Sequence, residues 1–348
     1  MSKFASALVR WQKRHGRRDL PWQGTRDPYR IWLSEVMLQQ TQVSAVIPYY
    51  ERFLRRFPTL EALAAATEDE VLQLWSGLGY YARGRNLHAA AKAVVAAGSF
   101  PKNSDQIEAL PGIGKSTAAA IAAFAFGERA AILDGNVKRV LARFFGIAGW
   151  PGEKAVESAL WERANQLLPK KEIETYTQAL MDLGATLCVR TPKCDLCPVN
   201  RGCMARKEGK TAQIPAPRPR KALPQKAVTW LLLLDRGQIL LEKRPAPGIW
   251  GGLWSFPEAP AKDVESHCRR VLACEVNSKE ALDTVEHGFT HFRLRIQPLL
   301  CQVTRRRNLG QPGLLWIDVD DVRAAAIPTP VRTIVNRLSG IRAASTRE

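Results

Sequence analysis

The sequence predicts a two-domain chain: a helical, alanine-rich N-terminal domain followed by a smaller α+β domain. Three observations carry this. Residues 1 to about 204 show apolar positions at helical spacing, broken by short Gly/Pro turns. Between Ala205 and Lys226, Pro215, Pro217, Pro219 and Pro224 alternate with Arg218, Arg220, Lys221 and Lys226, the composition of an extended, semi-rigid linker. Beyond it the pattern changes to apolar and alternating runs that read as strands. With 348 residues, 46% of them hydrophobic, each domain has material for its own core. The expected boundaries are 1–204, a linker over 205–226, a second domain over 227–340 and a tail over 341–348.

Each element has a local reason. Asp27 and Pro28 supply an N-cap and an N1 proline for a helix reaching about Gln42. Pro48 is expected to open the next helix, through Phe57. Thr67 caps a short helix that ends before Gly77. Ser104 starts a helix that stops at Pro111. Further helices are predicted over Lys115–Phe126, Asn136–Phe145, Glu153–Leu168 and Glu174–Leu187. In the second domain, Val228–Leu234 and Ile239–Lys243 read as strands around the turn Asp235-Arg236-Gly237. Phe292–Val303 and Leu314–Asp318 follow as strands, and Lys262–Ala273 and Val331–Leu338 as helices.

The formal net charge of +18 points to a polyanionic partner, nucleic acid ahead of an anionic membrane. No apolar run approaches the length of a membrane span. The N-terminus lacks the apolar core of a signal peptide, and an odd count of seven cysteines argues against a disulfide scaffold. The expected compartment is the cytoplasm.

Leu110-Pro111-Gly112-Ile113-Gly114-Lys115-Ser116-Thr117-Ala118 is a glycine turn opening a helix, where backbone N–H groups can receive phosphate. Leu74-Trp75-Ser76-Gly77-Leu78-Gly79 is a weaker echo of it. Asp134 stands shortly beyond, before the basic helix from Asn136. As an isolated residue it reads as an ordinary N-cap. Glu35 shares a helix face with Ile31, Trp32 and Leu38, so its carboxyl is expected to be desolvated and its pKa raised, as a general acid requires. The plainer alternative is a glutamate paired with a buried arginine. Two carboxyls in different environments, one protonated and one ionised, are what cleavage of a glycosidic bond needs.

Cys188, Cys194, Cys197 and Cys203 fall on one compact segment. Such thiolates are ligands for zinc or an iron–sulfur cluster, and one compact loop suits a cubane cluster better than two separated zinc-binding pairs. Cys268, Cys274 and Cys301 are scattered and expected in the core. Trp22, Tyr80, Tyr81 and Gln40 lie near glycine turns or the Glu35 helix. An enzyme that takes a base out of the stack needs a wedge, and Tyr80, directly after Gly79, suits it best. Trp22, Trp32 and Trp75 read as packing, His15 and His88 as structural, and Arg83 and Arg85 as phosphate contacts.

These motifs resemble a known family. Leu110–Ala118 is similar to the helix–hairpin–helix of DNA glycosylases of the endonuclease III superfamily, here over 104–126, with Asp134 at its aspartate and the cysteines at its [4Fe–4S] loop, 188–203. Trp32 to Val43, Gly77 to Arg83 and Ile132 to Arg143 resemble the MutY-type adenine glycosylases of that superfamily, and the C-terminal domain resembles their MutT/Nudix-like domain. The resemblance implies a bacterial base-excision repair enzyme. It would remove adenine from double-stranded DNA containing A:8-oxoguanine or A:G mispairs, working as a monomer with a [4Fe–4S] cluster and no membrane. By the same resemblance, Glu35 protonates adenine at N7, Asp134 stabilises the sugar cation or traps it covalently, and Asn136 holds Asp134. Gln40, Leu78 and Tyr80 wedge at the 8-oxoguanine. Gly112, Ile113 and Gly114 present N–H groups to phosphate, with Lys115 a further phosphate contact. Ser116 replaces the lysine that forms a Schiff base in bifunctional relatives, which implies base removal without strand cleavage. Lys138 is the residue expected to give adventitious adducts. Glu258–Arg270 lacks the acidic constellation of nucleotide hydrolases. Phe289-Thr290-His291 matches a Phe-Ser-His loop that reads 8-oxoguanine, with Thr290 in place of Ser. The first cysteine gap is one residue shorter than is usual.

Overall fold

The computed structural model describes residues 1–219, 222–260, 263–305 and 312–345, with side chains of the final helix to Leu338. Arg220, Lys221 and Lys262, and the end of the tail, lie outside them. The helices are α1 (Lys3–His15), α2 (Pro28–Leu38), α3 (Val43–Arg56), α4 (Leu60–Ala65), α5 (Glu68–Trp75), α6 (Ala82–Ala97), α7 (Ser104–Glu108), α8 (Lys115–Phe126), α9 (Gly135–Phe145), α10 (Lys154–Leu167), α11 (Ile173–Asp182), α12 (Met204–Lys207), α13 (Val264–Arg270) and α14 (Thr329–Ser345). The strands are β1 (Gln225–Asp235), β2 (Gln238–Lys243), β3 (Trp254–Ser255), β4 (Glu258–Ala259), β5 (Cys274–Ala281), β6 (Val285–Gly288), β7 (Arg293–Arg305) and β8 (Leu314–Asp318). The chain divides into two compact units, residues 1–65 with 86–220, and 66–85 with 221–348.

The first unit is helical and built around α8. That helix is buried on most sides through Ala118, Ala119, Ala120, Ile121, Ala122 and Ala123. Side chains this small let α2, α7 and α11 pack closely against it. Its C-cap Gly127 takes the left-handed conformation, φ +68°, that stops the helix.

Three boundaries differ most from expectation. α2 ends at Leu38, because Gln40 adopts φ +55° and turns the chain. α3 then begins at Val43, with Pro48 inside it. Pro48 removes one helical hydrogen bond, yet the helix persists because Val46, Tyr50 and Phe53 are buried along one face. The predicted helix to Leu187 is α11 followed by a wide π-type turn over Leu183–Leu187, closed by the Cys188 N–H donating to the Leu183 carbonyl at 2.7 Å.

The second unit carries an eight-stranded sheet in the order β3-β2-β1-β7-β5. β4 adds to β1, β6 to β7 and β8 to β2. β1 and β7 run parallel from Gln225↔Arg293 to Leu234↔Gln302. Trp230, Leu232 and Leu234 pack on one face with Val331, Ile334 and Val335 of α14, and with Leu72 of α5. Leu231 and Leu233 pack on the other with Val264 and Cys268 of α13. This explains the unbroken apolar run in β1, since a central strand covered on both faces need not alternate. Each of these leucines contributes about 2 kcal/mol on burial. Cys268, Cys274 and Cys301 are fully buried, as expected.

Candidate active site and nucleic-acid interface

Two carboxyl-bearing segments are assembled on α8. α2 packs directly against it. On its first turn, the Ser116 hydroxyl accepts the Leu133 N–H at 2.9 Å, fixing the residue before Asp134. Glu35 projects from α2 into a cavity of about 600 Å³ whose lining includes Arg17, Trp22, Leu38, Val43, Phe124 and Gln178. Burial, and then the neighbouring Asp134 carboxyl, push the Glu35 pKa from 4.5 to about 8. No cation offsets this among the described residues, so the alternative of a glutamate paired with an arginine does not apply.

Asp134 is the N-cap of α9, and its Oδ1 accepts the Val137 N–H at 2.8 Å. Burial raises its pKa. The backbone N–H groups of Val137 and Asn136, then the charges of Arg139 and Lys138, pull it back. Only Asp134 therefore has donors and a helix N-terminus to stabilise an ionised carboxylate. The Asn136 side chain does not reach Asp134. It lies three residues from Arg139 on the same helix face, and its amide oxygen accepts from that guanidinium at 2.8 Å. Arg139 also donates to the carbonyls of Gly184 and Cys188, each at 2.6 Å. Gly184 has no room for a side chain, as a Cβ there would sit 2.6 Å from the Asn136 Cβ.

Cys188, Cys194, Cys197 and Cys203 line one small cavity with Arg143, Lys193 and Arg206. Arg143 is buried and donates to the carbonyls of Ile214 (2.8 Å), Val189 (2.6 Å) and Arg190 (3.1 Å), with Cys188 Sγ 3.5 Å away. Among the described residues no three His, Cys, Asp or Glu side chains form a group that holds a lone metal ion.

The glycine turn is built as its sequence requires. Gly112 has φ +78°, and a Cβ there would lie 2.6 Å from Asn86 Cβ. Gly114 caps α8 without a side-chain hydrogen bond and with open space around it, so the first-turn N–H groups stay available to an anion. Ile113 is buried and offers only its backbone. Lys115 Nζ sits 4.7 Å from the Trp161 ring centroid, and Lys138 Nζ is 2.5 Å from Glu157 Oε1. Gln40 is exposed on its left-handed turn.

In the second unit, Gly77, Gly79 and Tyr80 all have positive φ (97°, 76° and 49°) and shape a tight turn. Tyr80 is 46% exposed, whereas Leu78 is buried. Arg83 faces inward: it donates to the carbonyls of Gly79 (3.1 Å) and Leu78 (3.4 Å) and lies over the rings of Trp75 and Tyr80. Burial lowers its pKa to about 10. Phe289, Thr290 and His291 occupy the hairpin joining β6 to β7, closed by the Phe289 N–H on the Phe292 carbonyl. Phe289 stacks on Phe292 at 4.4 Å and 17°, leaving Thr290 and His291 exposed at the tip.

Sequence reasoning missed the parts played by Arg139, Arg143 and Gly184, and the hydrogen bond that Ser116 takes from Leu133. The one available signal was the spacing of Asn136, Arg139 and Arg143, which places them along one side of α9.

Residues 33–166 match the HhH-GPD superfamily of base excision DNA repair proteins, and residues 229–337 match the NUDIX domain family. An adenine DNA glycosylase of Buchnera aphidicola subsp. Baizongia pistaciae is 36% identical over 341 residues, spanning 96% of each chain. This chain belongs to the adenine DNA glycosylases. The human adenine DNA glycosylase is 33% identical over 408 residues, covering 98% of this chain and 74% of its own. A thermostable thymine-DNA glycosylase is similar in structure, with a TM-score of 0.53 and 32% identity over 59% of this chain and 95% of its own. That likeness stops short of the full chain, whereas both adenine glycosylases match nearly all of it. As a member of this family, the glycosylase is a hydrolase of base excision repair that acts on DNA and removes adenine. Its helical domain and C-terminal Nudix domain are those the sequence predicts. Among the described residues, no helix is long and apolar enough to cross a membrane.

Proposed function

We propose that this glycosylase removes adenine paired with 8-oxoguanine or guanine by hydrolysing the N-glycosidic bond of a flipped-out base, without cutting the strand. One observation carries the reading: two buried, neighbouring carboxyls, one of them at a cavity, of which Glu35 lacks the stabilising donors that Asp134 has and so holds the proton at neutral pH. Glu35 gives that proton to adenine N7. The electrons of the C1′–N9 bond leave with the base, and the sugar becomes an oxocarbenium ion. The Asp134 carboxylate, held by the N–H groups of Asn136 and Val137, stabilises that cation or captures it at C1′ until water replaces the enzyme.

Ser116 has no amine with which to form a Schiff base, and its hydroxyl is occupied by Leu133. Cys188, Cys194, Cys197 and Cys203 would hold a [4Fe–4S] cluster. Four soft thiols on one cavity, ringed by Arg143, Lys193 and Arg206 to balance negative charge, fit that group. Bound there, it would cross-link the loop that carries the basic residues Arg190, Lys193 and Arg201, which would then meet phosphate. Gly112, Ile113, Gly114 and Lys115 receive the backbone. Gln40 and Tyr80, both exposed, fill the gap at the 8-oxoguanine, a role that burial of Leu78 argues against for that residue, and Thr290, with Phe289 and His291, reads the base through its exposed hydroxyl.

Single-turnover reactions on duplexes with A opposite 8-oxoguanine, G or C, each with and without alkali, test this. Adenine release from the first two, with strand breaks only after alkali, is expected. Breaks without alkali overturn the Ser116 argument, and no adenine release removes the whole reading.

A further inference from the structure

The product of adenine removal is an abasic sugar, whose ring-opened form carries an aldehyde at C1′. Any nearby neutral amine can add to it. Water leaves, an iminium forms, and β-elimination then breaks the strand on the 3′ side. Two lysines stand beside the proposed chemistry. Lys138 lies one turn beyond Asp134, with its N–H on the Asp134 carbonyl at 2.8 Å, and its charge acts on the Asp134 carboxyl. Lys115 is adjacent to Ser116.

Neither amine is left loose, and both partners come from α10. Glu157 Oε1 takes the Lys138 ammonium at 2.5 Å, and the Trp161 ring takes the Lys115 ammonium at 4.7 Å. Glu157 and Trp161 are four residues apart, so one helix face holds both. An amine held against α10 must leave its partner before it can reach C1′.

We propose that α10 guards the abasic product: Glu157 and Trp161 hold the two neighbouring lysines away from C1′ and so help keep the enzyme to base removal. The inference deepens the reading of a glycosylase without strand cleavage and rests on it. Glu157 and Trp161 are positioning residues, acting through Lys138 and Lys115.

The test uses duplexes with a preformed abasic site opposite 8-oxoguanine, so it does not depend on adenine release. Enzyme and DNA are mixed with sodium borohydride, which reduces an iminium to a stable amine, and the modified lysine is located by peptide mass mapping. Glu157→Gln keeps the shape of the side chain and removes its charge. It is expected to raise the trapped fraction by up to about fivefold, the factor an ion pair of this exposure holds back, with the added adduct on Lys138. The double variant Glu157→Gln/Lys138→Ala should return to the wild-type level or below. Trp161→Leu should shift adducts toward Lys115. Trapping by Glu157→Gln equal to wild type, or an increase that maps elsewhere than Lys138, overturns the inference. Adenine release is measured in parallel on A:8-oxoguanine duplexes. Its absence in the wild-type enzyme counts against the proposed function and leaves the trapping result to decide the guard alone.

Discussion

Replacing Glu35 with Gln isolates the burial of its carboxyl. The fold holds a proton on Glu35 up to about pH 8, while the unfolded chain releases it near 4.5. This folded-state pKa is raised, so the favourable protonated state is fully present below pH 4.5. Its contribution is lost as pH rises through about 8. The interval from 4.5 to about 8 corresponds to a ceiling of about 5 kcal/mol at 1.36 kcal/mol per pH unit, and water reaching the carboxylate lowers the realised value to about 2–3 kcal/mol. Glutamine keeps the shape and never ionises. Glu35→Gln should therefore match the wild type at pH 5 and exceed it by about 2–3 kcal/mol at pH 9. Urea unfolding monitored by circular dichroism reads this directly. At a slope of about 2 kcal/mol per molar, the midpoints should separate by about 1 M at pH 9. The same variant should lose about 10²- to 10⁴-fold in single-turnover adenine release, and the wild-type rate should fall as pH rises through about 8. A midpoint difference that is the same at pH 5 and pH 9 would refute the reasoning, because it would mean that the carboxyl is solvated and its acidity ordinary.

Asp134→Asn keeps a good N-cap for α9 while removing the negative charge, so stability should change by less than about 1 kcal/mol. Adenine release should fall by about 10²- to 10³-fold, and equal losses of melting temperature and rate would point to a structural role alone. Arg143→Met removes the donor that holds the carbonyls of Val189, Arg190 and Ile214. Leaving those groups unpaired should cost about 2–4 kcal/mol and lower the iron content per chain, read by calorimetry and metal analysis. Thr290→Ala removes the exposed hydroxyl at the hairpin tip. It should weaken binding to A:8-oxoguanine by about five- to tenfold and leave A:G binding unchanged in a gel-shift titration. An equal loss on both duplexes would place the hydroxyl elsewhere than at the 8-oxoguanine.

Elements with a strong local pattern were legible. The cap at Thr67, the alanine-rich helix α8 and the apolar run of β1 each appear where the sequence implies. β5 and β6 were not, for a physical reason. Most of β5 is exposed and polar, so it has no alternation to read, and it exists because its backbone pairs with β7 from Cys274↔Arg305 to Ala281↔Leu299. The start of α3 was misplaced for a related reason. Pro48 marks a helix start locally, but burial of Val46, Tyr50 and Phe53 carries the helix across it.

The sequence by itself pointed to the two acids, the cysteine quartet, the glycine turn and the helices that open on a clear cap or glycine turn, because each rests on spacing within a few residues. Tertiary structure alone made the two carboxyls neighbours, because Glu35 and Asp134 lie about 100 residues apart in the chain and only packing brings the charge of one to bear on the other. It also turned Arg83 inward, gave the Asn136 amide to Arg139 and committed Ser116 to the Leu133 N–H. A side chain's type fixes which partners it can take. Only the packed chain decides which of them it meets.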